Sequence, residues 1–270
     1  MIMKVWIQVG VLFLVGCSEY GINEQQELMP PGEDTDEELP VDQDDTDIPV
    51  EDDPVELAEG SVYANTSATL YEVDPASGGH SWIGNFREDG FEVNGFVDIA
   101  IDRKGRMYGG TFDALYRIDP TTAEVVYLCD SSHDMTGMAF SSDGELFVGG
   151  GTSIHVMDVQ TCDTESLLDS STYSTSGDLV GLPDGYLYWT VRGYESDELV
   201  RVDPNTGSTA WVGIVPESGL YGLGYADEQL FGFSSRGKIV RISPIGASSS
   251  VMVDNDELAW WGATTNPVTW

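Results

Sequence analysis

From Ser61 onward the chain is built of short stretches in which apolar and polar side chains alternate, each broken by a turn. Five of these stretches align: Leu70-Tyr-Glu-Val-Asp-Pro75, Leu115-Tyr-Arg-Ile-Asp-Pro120, Ile154-His-Val-Met-Asp158, Leu199-Val-Arg-Val-Asp-Pro204 and Ile239-Val-Arg-Ile-Ser-Pro244. Alternation of this kind gives a strand two differently packed faces. The closing Asp-Pro, followed in one copy by Asn205-Thr-Gly207, suits a tight turn: proline presets φ, aspartate accepts from nearby amides and glycine takes a positive φ. From Asp74 to Asp119, Asp158, Asp203 and Ser243 the steps are 45, 39, 45 and 40 residues. No stretch has a competing helical period.

Each copy is accompanied by three further strands. Met135 to Ser141, the turn at Ser142-Asp-Gly144 and Glu145 to Gly150 precede one copy, and Val125 to Cys129 follows another. Four short antiparallel strands repeated every 40–45 residues predict an all-β propeller. The ends set the number of blades. Ser61-Val-Tyr-Ala64 matches a second strand with no innermost strand before it, and Trp260-Trp-Gly-Ala-Thr-Thr265 is a lone innermost strand. The two halves complete one blade, which predicts five blades over 61–270, closed by pairing of the C-terminal strand into the N-terminal blade. A six-bladed or open arrangement is the alternative.

Met138-Ala-Phe-Ser-Ser-Asp-Gly144-Glu-Leu-Phe-Val148 and Leu115-Tyr-Arg-Ile-Asp-Pro120 resemble the repeats of bacterial NHL, YVTN and streptogramin-lyase-like propellers. The resemblance covers 61–270 and implies blade packing and turn chemistry; it specifies no reaction. The Gly-His and Trp-Asp dipeptides of WD repeats and the Kelch pattern are absent.

Ahead of the repeats the composition changes twice. Residues 1–16 hold one charge, Lys4, and an apolar run too short to span a bilayer, as in a secretory signal. The run ends at Leu14-Val-Gly-Cys17, which resembles a bacterial lipobox. That resemblance implies lipidation of Cys17 and attachment to a membrane, and Ser18 in place of aspartate favours the outer membrane of a Gram-negative cell envelope. With Cys17, residues 17–60 form an acidic linker: 18–60 carry 17 Asp or Glu, no Lys or Arg, and regularly spaced prolines. Such a segment cannot bury enough apolar surface to offset its ordering entropy, so it reads as a disordered tether. Its acidic runs lack the glycine and terminal glutamate of an EF-hand loop, so no cofactor is expected beyond loosely held calcium.

Over 270 residues, 47 acidic side chains face 11 basic ones for a formal charge of −36, which excludes binding to nucleic acid through phosphate attraction. The repeats alone hold 30 acids and 10 bases, favouring cationic partners.

A ligand site is expected where loops between blades gather with those joining second and third strands. Loops 87–95, 170–176 and 192–198 bring Tyr173, Arg192 and Tyr194 there, beside Trp260 and Trp261. Aligning the innermost strands puts Asp98, Gly137, Asp178, Gly222 and Gly262 at one position. Its two carboxylates could bind a cation, sugar or peptide, or simply satisfy loop amides. His133 is the one histidine expected on this face. These residues are the candidate contacts for a protein, glycan or small-molecule ligand of a non-catalytic module. The alternative is a small hydrolase or lyase at the channel mouth using Asp98, Asp178 and His133, although no nucleophile setting or metal-ligand spacing accompanies them. Cys129 closes one outer strand and Cys162 opens the next, so they are expected near opposite faces as separate thiols. Trp82, Trp189 and Trp211 are assigned to packing between blades.

Overall fold

The computed structural model describes residues 57, 60–254 and 257–267. Residues 1–16, read above as a signal sequence, Cys17 and nearly all of the acidic linker lie outside them.

Five four-stranded antiparallel sheets form the ring. Blade 1 contains β1 (Val62–Asn65), β2 (Thr69–Val73) and β3 (His80–Asn85). A two-stranded hairpin of β4 (Arg87–Glu88) and β5 (Phe91–Glu92) leads on to blade 2. Blade 2 is β6 (Asp98–Ile101), β7 (Met107–Gly110), β8 (Ala114–Ile118) and β9 (Val125–Asp130). Blade 3 is β10 (Gly137–Phe140), β11 (Leu146–Gly150), β12 (Ser153–Met157) and β13 (Thr164–Asp169). Blade 4 is β14 (Thr175–Gly181), β15 (Leu187–Arg192), β16 (Asp197–Val202) and β17 (Thr209–Ile214). Blade 5 is β18 (Leu220–Ala226), β19 (Gln229–Ser234), β20 (Lys238–Ile242) and β21 (Ser249–Asp254). The chain then returns through β22 (Gly262–Thr265), the innermost strand of blade 1. Val62 pairs with Thr265 and Asn65 with Gly262, and the Trp261 amide donates to the Asn65 carbonyl at 2.9 Å. Closure is therefore by the terminal strands, as the incomplete first and last copies require.

The turn after each aligned segment is the same device five times. Asp74, Asp119, Asp158 and Asp203 each accept, through Oδ1, from the amide two residues on; Ser243 does so through its hydroxyl. The carbonyl of each also accepts from the amide four residues on. The Ser77 hydroxyl and then the Ala76 amide hold Asp74 below the usual carboxylate range.

Hydrophobic burial is divided among five clusters, each joining two adjacent blades. Phe86, Phe96 and Ile99 lie between blades 1 and 2, Tyr108, Met138 and Phe140 between 2 and 3, and Phe147, Leu179 and Trp189 between 3 and 4. Leu199, Leu220 and Leu223 fill the seam between blades 4 and 5. Trp260, Phe233 and Val62 fill the closing seam. A blade cannot bury its faces alone, so stability is a property of the closed ring.

Around the rim, the positive-φ residue of each turn meets the outer strand of the preceding blade. A Cβ on Gly213 would lie 3.0 Å from Ala247 Cβ, one on Gly84 would lie 3.0 Å from Ala123 Cβ, and one on Gly78 would lie 2.8 Å from Val253 Cγ2. By register, strand positions Gly84, Cys129, Leu168, Gly213 and Val253 are equivalent; Gly84, Cys129, Gly213 and Val253 meet the turn residues Ala123, Cys162, Ala247 and Gly78, while Gly207 meets the neighbouring Leu167. Where the strand carries a large side chain the turn has glycine, and where the strand has glycine the turn has alanine.

The pair between blades 2 and 3 is a disulfide, with Cα atoms 5.9 Å apart. This corrects the expectation of separate thiols. A strand length measured along a flat blade overlooks the register shift after Leu115, repeated in every third–fourth strand pair, and the twist that swings the outer strand against its neighbour. A second correction concerns the tryptophans. Trp189 is buried between blades, but Trp82 and Trp211 stand 65% and 56% exposed, because the outermost strands have no sheet partner beyond them.

Candidate functional site

The five-fold alignment places two carboxyls and three glycines around the axis. Asp98 and Asp178 are fully buried. Asp98 Oδ1 accepts from the Ile99 amide at 2.8 Å, and Oδ2 reaches across to the Met138 amide of blade 3. Asp178 repeats the arrangement with the Leu179 amide and the Leu223 amide of blade 5. The buried Thr190 hydroxyl accepts from the Asp178 amide at 3.1 Å and faces the Leu220 carbonyl. The two carboxyls lie near enough to shift one another's proton affinity. Gly262 makes room: a Cβ there would collide with Asp98 Oδ1.

Burial first, and then the neighbouring Asp178 charge, pushes Asp98 far above the usual carboxylate range. Burial also pushes Asp178 up, to about 8, against the opposing hydrogen bonds from Asp98 and the Leu223 and Leu179 amides. Neighbouring carboxyls in a dry site cannot both ionise without a compensating charge. Each ties its own innermost strand to that of the next blade.

One residue earlier on each innermost strand, the chain forms a cup above these carboxyls. Val97, Thr136, Gly177, Tyr221 and Trp261, one from each blade, line a depression of about 290 Å³ with Phe112, Thr175, Ser176 and Arg192. Phe112 and Tyr221 are 50% and 37% exposed. Arg192, at the end of β15, donates from Nε to the Thr175 carbonyl at 3.0 Å, holding its guanidinium at the wall. Aromatic faces, hydroxyls and one cation suit a small ring-bearing ligand with an anionic group. A more open depression of about 420 Å³ lies off the axis, beside Ser61, Glu72, Asp74 and Asp227. Blades 1 and 5 alone build it, so it lacks the all-blade convergence of the cup.

Of the residues singled out in the sequence, Arg192 and Trp261 are in the cup, while Asp98 and Asp178 lie beneath it out of reach of solvent. Trp260 faces the other way, buried against Tyr71, His80 and Phe233. Tyr173 is half-buried against Trp189, and Tyr194 is 99% exposed away from the cup lining. His133 is not with the carboxyl pair: its ring stacks on His155 at 3.9 Å and its Nδ1 meets the Thr164 hydroxyl at 3.1 Å, out on the third and fourth strands of blade 3. Phe112, Thr136 and Tyr221 escaped the sequence reading. Shifting the innermost-strand alignment back by one residue would have found the last two.

No protein-family profile matches this sequence, and no curated protein matches it significantly. Solved structures do match. A chain of the nidogen/laminin complex is 10% identical over 76% of this chain and 97% of its own, with a TM-score of 0.51. TolB from Acinetobacter baumannii is 15% identical over 75% of this chain and 55% of its own, with a TM-score of 0.43. A protein from a study of the de novo evolutionary emergence of a symmetrical protein is 16% identical over 75% and 92%, with a TM-score of 0.48. At these identities the likeness concerns fold alone: the chain has a β-propeller fold.

Proposed function

We propose that this protein is an exported lipoprotein, anchored through Cys17 to the outer membrane of a Gram-negative cell, whose propeller is a non-catalytic recognition module binding small anionic ligands such as acidic saccharides in the axial cup. The observation that carries the reading is the convergence of one residue from every blade on a cup with a closed floor. A ligand there meets aromatic planes and the Arg192 guanidinium, and the carboxyl pair stays beneath it, bonded to backbone amides. Export is supported by the lipobox-like Leu14-Val-Gly-Cys17 and by the Cys129–Cys162 disulfide, a bond that persists in oxidising compartments.

Tryptophan fluorescence titration with oligogalacturonate tests the cup. Saturable binding lost in both Trp261→Ala and Arg192→Ala supports it; absence of binding, or equal binding by both variants, removes it. For the anchor, radiolabelled palmitate should enter the wild-type chain and not Cys17→Ser, which should be released into the soluble fraction. Label in the variant would remove Cys17 as the attachment point.

A further inference from the structure

We propose that Asp98, Asp178 and Asn65 together bind one calcium ion on the axis of the ring, beneath the cup. Two carboxyls alone would not argue for a metal; Asn65 does. It is fully buried at the end of β1, and its Nδ2 donates to the Thr66 carbonyl at 3.0 Å, which turns Oδ1 the other way. That oxygen has no hydrogen-bond partner. Both it and Asp98 Oδ1 lie within 2.6 Å of the point where a Cβ on residue 262 would sit. Asn65 and Asp98 therefore meet from blades 1 and 2 where glycine replaces a side chain, and the Asp178 carboxyl of blade 4 interacts with that of Asp98.

The chemistry selects the ion. The carboxyls' other contacts are the amides of Ile99, Met138, Leu179 and Leu223, and no cationic side chain bonds to either oxygen pair among the described residues. Two carboxylates balance a divalent charge, and a donor set of oxygen alone suits a hard cation. Calcium accepts irregular oxygen cages of six to eight ligands, whereas magnesium demands an octahedron and gives up water reluctantly. The formal charge of −36 raises the local concentration of any such cation. Calcium would thereby replace protons as the charge that makes a buried carboxyl pair tolerable.

The test uses the full chain, stripped with EGTA and melted with and without calcium chloride at constant ionic strength. A hundredfold excess over Kd should raise Tm by about 5–10 °C. Equilibrium dialysis against radioactive calcium in physiological salt should find one tight ion per chain. Asp98→Asn and Asn65→Ala should each weaken that ion at least about tenfold. Asn65→Ala leaves both carboxyls in place and carries the test if Asp98→Asn does not fold. The proposal is overturned if wild type and Asn65→Ala respond equally to calcium, which would assign the effect to surface acids. It is equally overturned if calcium leaves Tm unchanged while Asp98→Asn melts higher than wild type in EGTA, because a proton would then hold the pair.

Discussion

Replacing Cys129 by glycine and Cys162 by alanine would convert the one covalent seam into a copy of the Gly84–Ala123 and Gly213–Ala247 seams, removing the cross-link while retaining a packing the ring already uses. The disulfide spans 33 residues, for which restriction of the unfolded chain contributes about 4 kcal/mol. Glycine within β9 adds a cost of up to about 1 kcal/mol. For a domain of this size each kcal/mol moves Tm by about 2–4 °C, so the double variant should melt about 10–20 °C below the oxidised wild type. A second variant, Cys129→Leu with Cys162→Gly, sets a large strand residue against a turn glycine, as at Val253–Gly78. It should recover about 1 kcal/mol relative to the first, because Cys162 sits at φ 57°, where an L-residue is strained and glycine is not. Calorimetry of both variants, with the wild type measured oxidised and reduced, checks the values. If the first variant melts within about 3 °C of oxidised wild type, or the second melts below the first, the account of the seams fails.

The buried carboxyl pair makes a prediction about pH in chelator. Because the folded-state pKa values of Asp98 and Asp178 are raised by burial, the folded protein retains protons that the unfolded chain releases above about pH 4, so this contribution falls as pH rises from there, the Asp178 part through about 8. The slope is about 1.4 kcal/mol per pH unit for each retained proton. Asp178→Asn should flatten it, and a wild-type urea-unfolding free energy that stays constant between pH 5 and 8 would contradict the claim that burial keeps these carboxyls protonated. Gly262→Ala should cost about 1–3 kcal/mol by overpacking, since its Cβ would press on the Asp98 carboxyl and Cα; chemical denaturation measures it. Removing residues 258–270 deletes β22 and the buried Trp260, leaving β1 without its inner neighbour. The truncated chain should lose near-ultraviolet dichroism and bind hydrophobic dyes, and a native-like melt would refute terminal closure.

The repeats, their turns and the incomplete first and last copies are properties of local pattern, so the blade count and closing strand were legible in the sequence. Strand alternation and Asx turns depend on neighbours only a few residues away, and Asp74, Asp119, Asp158 and Asp203 cap the same turn four times. The alignment of Asp98 with Asp178 was legible too, but not their depth. A five-bladed axis is narrow enough for carboxyls from different blades to meet, and nothing along the chain encodes that distance.

The same limit explains the cysteines and the cup. Periodicity assigned Cys129 and Cys162 to the outer strands of successive blades, near opposite faces; the bulge and twist that bring their Cα atoms to 5.9 Å belong to the assembled blades. It set Trp260 and Trp261 side by side, and only packing sent one into the seam with Phe233 and the other into the cup with Tyr221 and Arg192. Sequence by itself determined which strands exist and in what order they join, because hydrogen-bonded pairing and turn chemistry are short-ranged. Which side chains share a space was decided by the closed ring, because burial and proton affinity depend on groups tens of residues apart that meet only when the last strand is in place.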